Sequence, residues 1–253
     1  MAKLKSFLFA WMFPCIIFCV WLVIAHFEWI PSQILPAPSL VASTFTDLWA
    51  SGELQGHIGI SLQRVMSGFG VGALTGLLLG TAMGLSPTLK DYVYPIFKLY
   101  SQVPMLGWLP LLIMLVGIDE ALKIILISKG AFVPVTLNTY KGLQGVPSIY
   151  IEVARVYRFT KWQLLKKVVF PSALPPIWMG LRHGLTHAWL ALVAVELLAS
   201  SEGLGFLMVY GRQLYQLDVV LVAVVIVGGI GLIFDKLLSV AETYLLRWRH
   251  DAF

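Results

Sequence analysis

Six apolar runs, most of them near the length of a bilayer crossing, constrain this chain more than any other feature. They cover Phe7–Phe27, Val65–Leu85, Val103–Val116, Leu122–Leu137, Ile177–Ala199 and Val219–Phe234, and a transmembrane helix needs roughly 20 such residues. Charge is scarce to match. Of the 253 residues, 58% are hydrophobic and only 12% charged, with a mean hydropathy of +0.84. A soluble domain carries about twice that charge, and a disordered chain needs the opposite bias. The expectation is an all-α membrane protein with about six transmembrane helices.

The first run follows Lys3 and Lys5, as a signal peptide would, but it is long for one and closes on no small-x-small cleavage site. It reads as a retained span, with Pro14 satisfied by neighbouring helices. A polar stretch of about 30 residues follows, to His57. The third run is interrupted by Pro104 and Pro110, so it either extends back towards Tyr92 or is irregular. A cytoplasmic N-terminus would collect Lys3, Lys5, Lys90, Lys141, Arg155, Arg158, Lys161, Lys166, Lys167, Arg247 and Arg249 on the inside and leave only Arg212 in the outer loops. The positive-inside rule therefore places both termini in the cytoplasm. Sorted by loop in this way, the basic residues form no face for nucleic acid.

Polar features inside the spans give the first candidate sites. Gly68, Gly72, Gly76, Gly80 and Gly84 recur every fourth residue. Such a stripe lets another backbone approach closely, in packing within the chain, at a subunit seam or along a pathway. Arg182, Trp189 and Glu196 share one side of the fifth run, and charges at such depth face a protein interior or a water-filled path. Arg182 can alternatively snorkel to the cytoplasmic edge. His183 and His187, one turn apart, have no third partner that would make a metal site. Lys129, in the fourth run, calls for an acidic partner that the sequence does not identify. Cys15 and Cys19 read as apolar filler.

Between the fourth and fifth runs lies a loop of about 35 residues, long enough to require an explanation. Ser148 is placed to cap a first short helix, in which Tyr150, Val153, Ala154 and Tyr157 form an apolar stripe. Thr160 and Gln163 have capping-box spacing for a second helix, expected to run to Phe170 and stop at Pro171. Such a hairpin suits docking of a cytoplasmic protein or of anionic lipid headgroups.

Glu152-Val153-Ala154 followed by Val168-Val169-Phe170-Pro171 resembles the EAA motif, E-A-A-x3-G-x9-I-x-L-P, of ABC importer permeases. In register, the motif glycine falls on Arg158. That residue must either bear about 1 kcal/mol in a left-handed conformation or use another turn. Further similarity to the nitrate, aliphatic sulfonate and taurine permease group lies in Met83-Gly84-Leu85-Ser86-Pro87, Val103-Pro104, Trp108-Leu109-Pro110-Leu111 and Gly117-Ile118-Asp119-Glu120. It continues in Gly180-Leu181-Arg182, Val195-Glu196-Leu197, Gly203-Leu204-Gly205-Phe206 and Asp218-Val219-Val220.

The resemblance implies a type I ABC importer transmembrane fold. An N-terminal helix and outer loop would occupy 1–56, the transmembrane domain 57–246 with its coupling loop at about 141–171, and a short tail 247–253. It further implies a bacterial inner-membrane permease, paired with a second copy, two ATPase subunits that bind ATP and Mg, and an external substrate-binding protein. Glu152, Val153, Ala154, Tyr157, Arg158, Phe170 and Pro171 would couple to the ATPase. Arg182, Trp189 and Glu196 would line the path. The substrate implied is an aliphatic sulfonate or taurine, with nitrate, bicarbonate and thiamine precursors as alternatives within the group. The chain contains no Gly-Lys dipeptide and hence no P-loop of the G-x4-G-K-S/T type, so it is expected to hold no cofactor and no catalytic site of its own. A secondary transporter would show internal repeats and midplane carboxylates, and a membrane enzyme a convergent catalytic set; neither pattern is evident.

Overall fold

The computed structural model describes residues 2–247, with side chains from Met12 onward, and these residues are helical with no strand among them. Most of the tail expected at 247–253 therefore lies outside the described residues. In chain order the helices are α1 (Ala2–His26), α2 (Pro38–Ala50), α3 (Glu53–Leu85), α4 (Pro87–Gln102), α5 (Leu109–Val116), α6 (Glu120–Gln144), α7 (Ser148–Val156), α8 (Lys161–Leu164), α9 (Phe170–Ala199), α10 (Leu204–Gln213) and α11 (Leu217–Leu245). A 3-10 turn, Met105–Trp108, precedes α5, and a π turn, Leu165–Val169, joins α8 to α9.

The spine is a three-helix layer, α3–α6–α9, built on small residues. A Cβ on Gly76 would lie 3.0 Å from the Phe132 carbonyl oxygen and from Val135, and one on Gly80 2.7 Å from the Thr136 carbonyl and from Thr139. Gly68 meets Ile127, Gly72 meets Ser128 and Ala131, and Gly84 meets Leu143. All five stripe glycines therefore face α6 of the same chain. Ridges without side chains let the two backbones close on one another, which is what drives helix association where lipid is the solvent. On its other side α6 receives α9, where Gly180 meets Asn138 and Gly184 meets Val135.

Among the described residues, two helices, α3 and α11, are each long and apolar enough to cross a membrane, and the number rises to four when each bent pair is taken as one span. Of the first run, the described side chains supply the apolar stretch Met12–His26. The third run is no single helix: α4 and the Met105–Val116 segment meet at 95°, because Pro104 restricts the residue before it and removes a backbone donor. α6 carries Glu120, Lys123, Lys129 and Lys141, which dilute its hydropathy although three of them lie toward its ends. Two helices, α2 and α10, are expected neither among the six runs nor in the loop. α2, inside the polar stretch, packs Val41 and Leu48 on the core shared with α11 and hydrogen-bonds Thr44 Oγ1 to Asp218 Oδ2 at 2.6 Å. α10 follows α9 after a 41° bend.

Two expectations in the loop are corrected. Pro147, extended at φ −58° and ψ 132°, takes the N-cap position of α7, so Ser148 is the first helical residue and caps nothing. Nor does Pro171 stop a helix. The chain runs unbroken from Lys161 to Ala199, and the π turn is the reason. One extra residue in the turn before Pro171 lets the pyrrolidine ring clear the carbonyl it would meet in a regular α-turn. The result is a rod of about 58 Å at 1.5 Å per residue, joining the hairpin end of the bundle to the far end.

Candidate functional site: an exposed hairpin and a charge cluster at opposite ends of one rod

At the hairpin end, α7 ends in a Schellman turn. The Phe159 N–H donates to the Ala154 carbonyl at 3.0 Å and the Arg158 N–H to the Arg155 carbonyl at 2.9 Å, the paired bonds that define the motif. Its left-handed position is Arg158, at φ +54°. Of the two alternatives open in the sequence, the chain keeps the turn and carries the conformational cost. The capping box that follows is complete: Thr160 N–H donates to Gln163 Oε1 at 2.9 Å, and Gln163 N–H to Thr160 Oγ1 at 3.3 Å.

Ala154 is buried against the body of the loop, while Ile149, Tyr150, Val153, Val156, Tyr157 and Trp162 are exposed. Val156 is 81% exposed and Tyr157 74%. A cleft of about 530 Å³ opens beside α7, lined by Tyr150, Val153, Ala154, Tyr157, Phe159, Lys167, Val168 and Ser172. Glu152 is exposed beside it. Phe170 is partly exposed, and its neighbours Val169 and Ala173 pack on Leu143 at the end of α6. These side chains leave exposed apolar surface along α7.

The far end is built in the opposite way. Arg64 of α3, 4% exposed, makes a two-pronged pair with Glu120: Nη2 to Oε1 at 2.6 Å and Nε to Oε2 at 2.8 Å. Its Nη1 donates to Glu196 Oε1 at 2.9 Å and to the Glu202 carbonyl at 2.7 Å. Glu196, 1% exposed, also accepts from Ser61 Oγ at 2.9 Å and from the Gly205 N–H at 3.0 Å. Ser61 in turn accepts from the Leu204 N–H at 2.9 Å, so the first amides of α10 are capped by side chains from α3 and α9.

Lys123 Nζ closes the group on Glu120 at 2.6 Å. Glu120 lies just outside the apolar part of α6. Its hydrogen bonds with Arg64 and Lys123, working against burial, hold the carboxyl down to about 2 from 4.5. Its contribution to stability is thus present above pH 4.5 and is lost as pH falls toward 2.

The other two residues assigned to a path also have partners within the chain. Arg182 pairs with Asp235 at 2.7 Å and Glu242 at 3.1 Å, both on α11. The indole N–H of Trp189 donates to the Val227 carbonyl at 3.3 Å, and its ring meets Phe234 edge-on. Arg182 and Glu196 stand 14 residues apart on α9, about 21 Å along the axis, and so belong to different sites. Arg64 and Ser61 are the residues that sequence reasoning missed. Their carboxylate partners lie 56, 132 and 135 positions away, beyond the reach of any local pattern. The converging segments were nevertheless visible as motifs, for Asp119-Glu120, Val195-Glu196-Leu197 and Gly203-Leu204-Gly205 meet in this one cluster.

Comparison with known proteins agrees with this architecture. Residues 72–243 match the family described as the binding-protein-dependent transport system inner membrane component. A Bacillus subtilis (strain 168) permease named for aliphatic sulfonate transport, SsuC, is 40% identical over 238 residues, covering 94% of this chain and 86% of that protein. The taurine transport system permease protein TauC of Escherichia coli (strain K12) is 33% identical over 241 residues, covering 93% and 88%. A crystal structure of an amino acid ABC transporter with histidines superposes with a TM-score of 0.61 at 20% identity, covering 80% of this chain and 96% of that one; at that identity the likeness speaks for the fold. The chain belongs to the binding-protein-dependent inner membrane component family, as an ABC importer permease of the nitrate, aliphatic sulfonate and taurine group.

Proposed function

We propose that this chain forms the transmembrane path for a small organic anion, an aliphatic sulfonate or taurine, in a bacterial inner membrane. Two copies pair to enclose the path, with both termini and the hairpin in the cytoplasm. Two ATPase subunits, which bind ATP and Mg, seat α7 with Glu152, Val153, Ala154, Tyr157 and Arg158 at the contact. An external binding protein delivers the anion to the far end. The observation that carries this reading is the apolar exposed face of α7 at the foot of the Lys161–Ala199 rod. Displacing the hairpin then moves Glu196 and the cluster around it as one body, a rigid-body switch between two packings. Phe170 and Pro171, in the first turn of α9, transmit the displacement, and the glycine seam between α3 and α6 keeps the bundle from absorbing it.

The substrate assignment leans on the relatives named for sulfonate and taurine transport. The experiment has two parts. Purification of the tagged chain from its native membrane should bring down an ATPase subunit, and Val153→Arg, at an exposed position, should abolish that association while the chain still inserts. Deletion of the chain should remove growth on alkanesulfonates or taurine as sole sulfur source. Import by the chain alone, driven by an ion gradient in liposomes, would overturn the coupling assignment.

A further inference from the structure

Three basic side chains are buried in the bundle: Arg64, Lys123 and Lys129. The first two share Glu120. Lys129, 8% exposed, has no carboxylate within ion-pair distance among the described residues. It stands nine residues into α6, about 14 Å from the Glu120 end and about 22 Å from the Gln144 end, deep in the bundle. Its ammonium donates to the Val103 carbonyl at 2.7 Å, at the break between α4 and the 3-10 turn. The rings of Tyr100 and Trp108 face it at 5.0 and 5.8 Å. Carbonyl and rings solvate the cation in part, but an ammonium has three donors and one of them is used.

Lys129 forms part of the wall of a cavity of about 540 Å³ between α6, α9 and the α4 break. Across it on α9 stand His183 and His187, and Asn138 lies two turns further along α6. Asn138 donates one amide hydrogen to the Pro134 carbonyl at 2.8 Å, which leaves a second. The Trp108 indole N–H, on the ring that faces the ammonium, is buried without an acceptor. Ser101 adds a hydroxyl, the rest of the wall is largely apolar, with Val133, Leu137 and Met105, and no Asp or Glu lines it. The cavity thus presents a cation without a carboxylate partner among the described residues, in surroundings where an unpaired charge is expensive.

We propose that this cavity is a station for an organic monoanion with a short apolar tail, its anionic head paired with Lys129 and its tail against Val133 and Leu137. The proposal rests on the permease reading above and adds to it a site and a preference. With no carboxylate in its wall, the cavity takes an alkanesulfonate in preference to the ω-amino analogue, whose ammonium would be desolvated without a partner. Arg182, on α9, is already neutralised by Asp235 and Glu242 and is no competitor for the head group.

The test is equilibrium binding of radiolabelled butanesulfonate to the complete transporter, permease with its ATPase, in nanodiscs without nucleotide. Wild type should bind butanesulfonate, taurine should compete at least about tenfold less well, and butyltrimethylammonium not at all, tenfold being about 1.4 kcal/mol. Lys129→Gln should weaken binding by at least about tenfold, while Lys129→Arg keeps it. Val133→Trp, which fills the cavity and leaves Lys129 in place, should also remove binding and guards against a misfolded Lys129 variant. All three variants should still insert and still associate with the ATPase, which shows that each is folded. A wild-type complex that binds no butanesulfonate, or a Lys129→Gln complex that binds it as wild type does, overturns the station. Absence of any associated ATPase overturns the permease reading instead, so the two failures are distinct.

Discussion

The two ends of the Lys161–Ala199 rod follow opposite physical plans. At the far end, Arg64, Glu120, Glu196, Ser61 and the first amides of α10 satisfy one another inside the chain, and the charges they bury are compensated there. At the hairpin end the backbone is equally well capped, yet Val156, Tyr157 and Trp162 are left facing outward. Saturation at one end and exposed apolar surface at the other separate an end finished by folding from the end that, on the proposed function, a partner covers. Substitutions at the far end should therefore register as lost stability, and substitutions at the hairpin as lost assembly.

The largest effect is expected from Arg64→Met. It strips Glu196 of its only cation among the described residues and leaves a buried carboxylate with Ser61 and the Gly205 amide, a loss of about 3–5 kcal/mol for a broken buried pair. The measurement is the unfolding midpoint of the purified chain in detergent. Arg64→Met combined with Glu196→Leu should recover part of that loss, since the orphaned charge is removed as well. A single variant that unfolds where wild type does would break the comparison, because the far end would then not be held by its charges.

The seam that joins the two ends comes next. Gly72 lies against the backbone of Ser128, whereas Gly70, on the same helix, has open space where a Cβ would stand. Gly72→Ala should lower stability by about 1–3 kcal/mol through overpacking. Gly70→Ala should be neutral or slightly stabilising, since an alanine gains up to about 1 kcal/mol over glycine in a helix. Equal midpoints for the two variants would show that the seam yields, and a yielding seam cannot transmit movement from hairpin to cluster.

Much of this was legible in the sequence, and the rest was hidden for identifiable reasons. The four-residue glycine period and the Thr160–Gln163 spacing are local, and local patterns survive the step from sequence to structure. Arg64 stands out in no local pattern, since its carboxylate partners lie on two other helices. Pro171 read as a terminator because the rule for proline assumes a regular α-turn ahead of it, and the π turn at Leu165–Val169 removes that assumption. α2 escaped notice because it is moderately polar and its apolar face is covered by α11 rather than by lipid.

At the hairpin, Val156→Asp should leave the unfolding midpoint within about 0.5 kcal/mol of wild type, as an exposed position allows. The same change should weaken association with the ATPase by about tenfold or more, about 1.4 kcal/mol in an interface where a charge meets apolar surface. A fall in the midpoint without a change in association would reverse the assignment of the two ends.

The smallest effect is the most local. Arg158 holds φ +54° at the position where the family motif has glycine, and both bonds of its turn are formed. The left-handed conformation costs a side-chain-bearing residue about 1–2 kcal/mol, and glycine removes that cost. Glycine also widens the unfolded ensemble, which takes back about 0.4–1 kcal/mol. Arg158→Gly should therefore raise stability by about 0–1.6 kcal/mol, read as a small upward shift in the midpoint. The exposed arginine makes no ion pair among the described residues, so nothing within the chain offsets the strain. If Arg158→Gly also lowers ATPase association, the arginine is kept for its contact with the partner, and a residue that is a local defect within the chain becomes part of the surface that the partner reads.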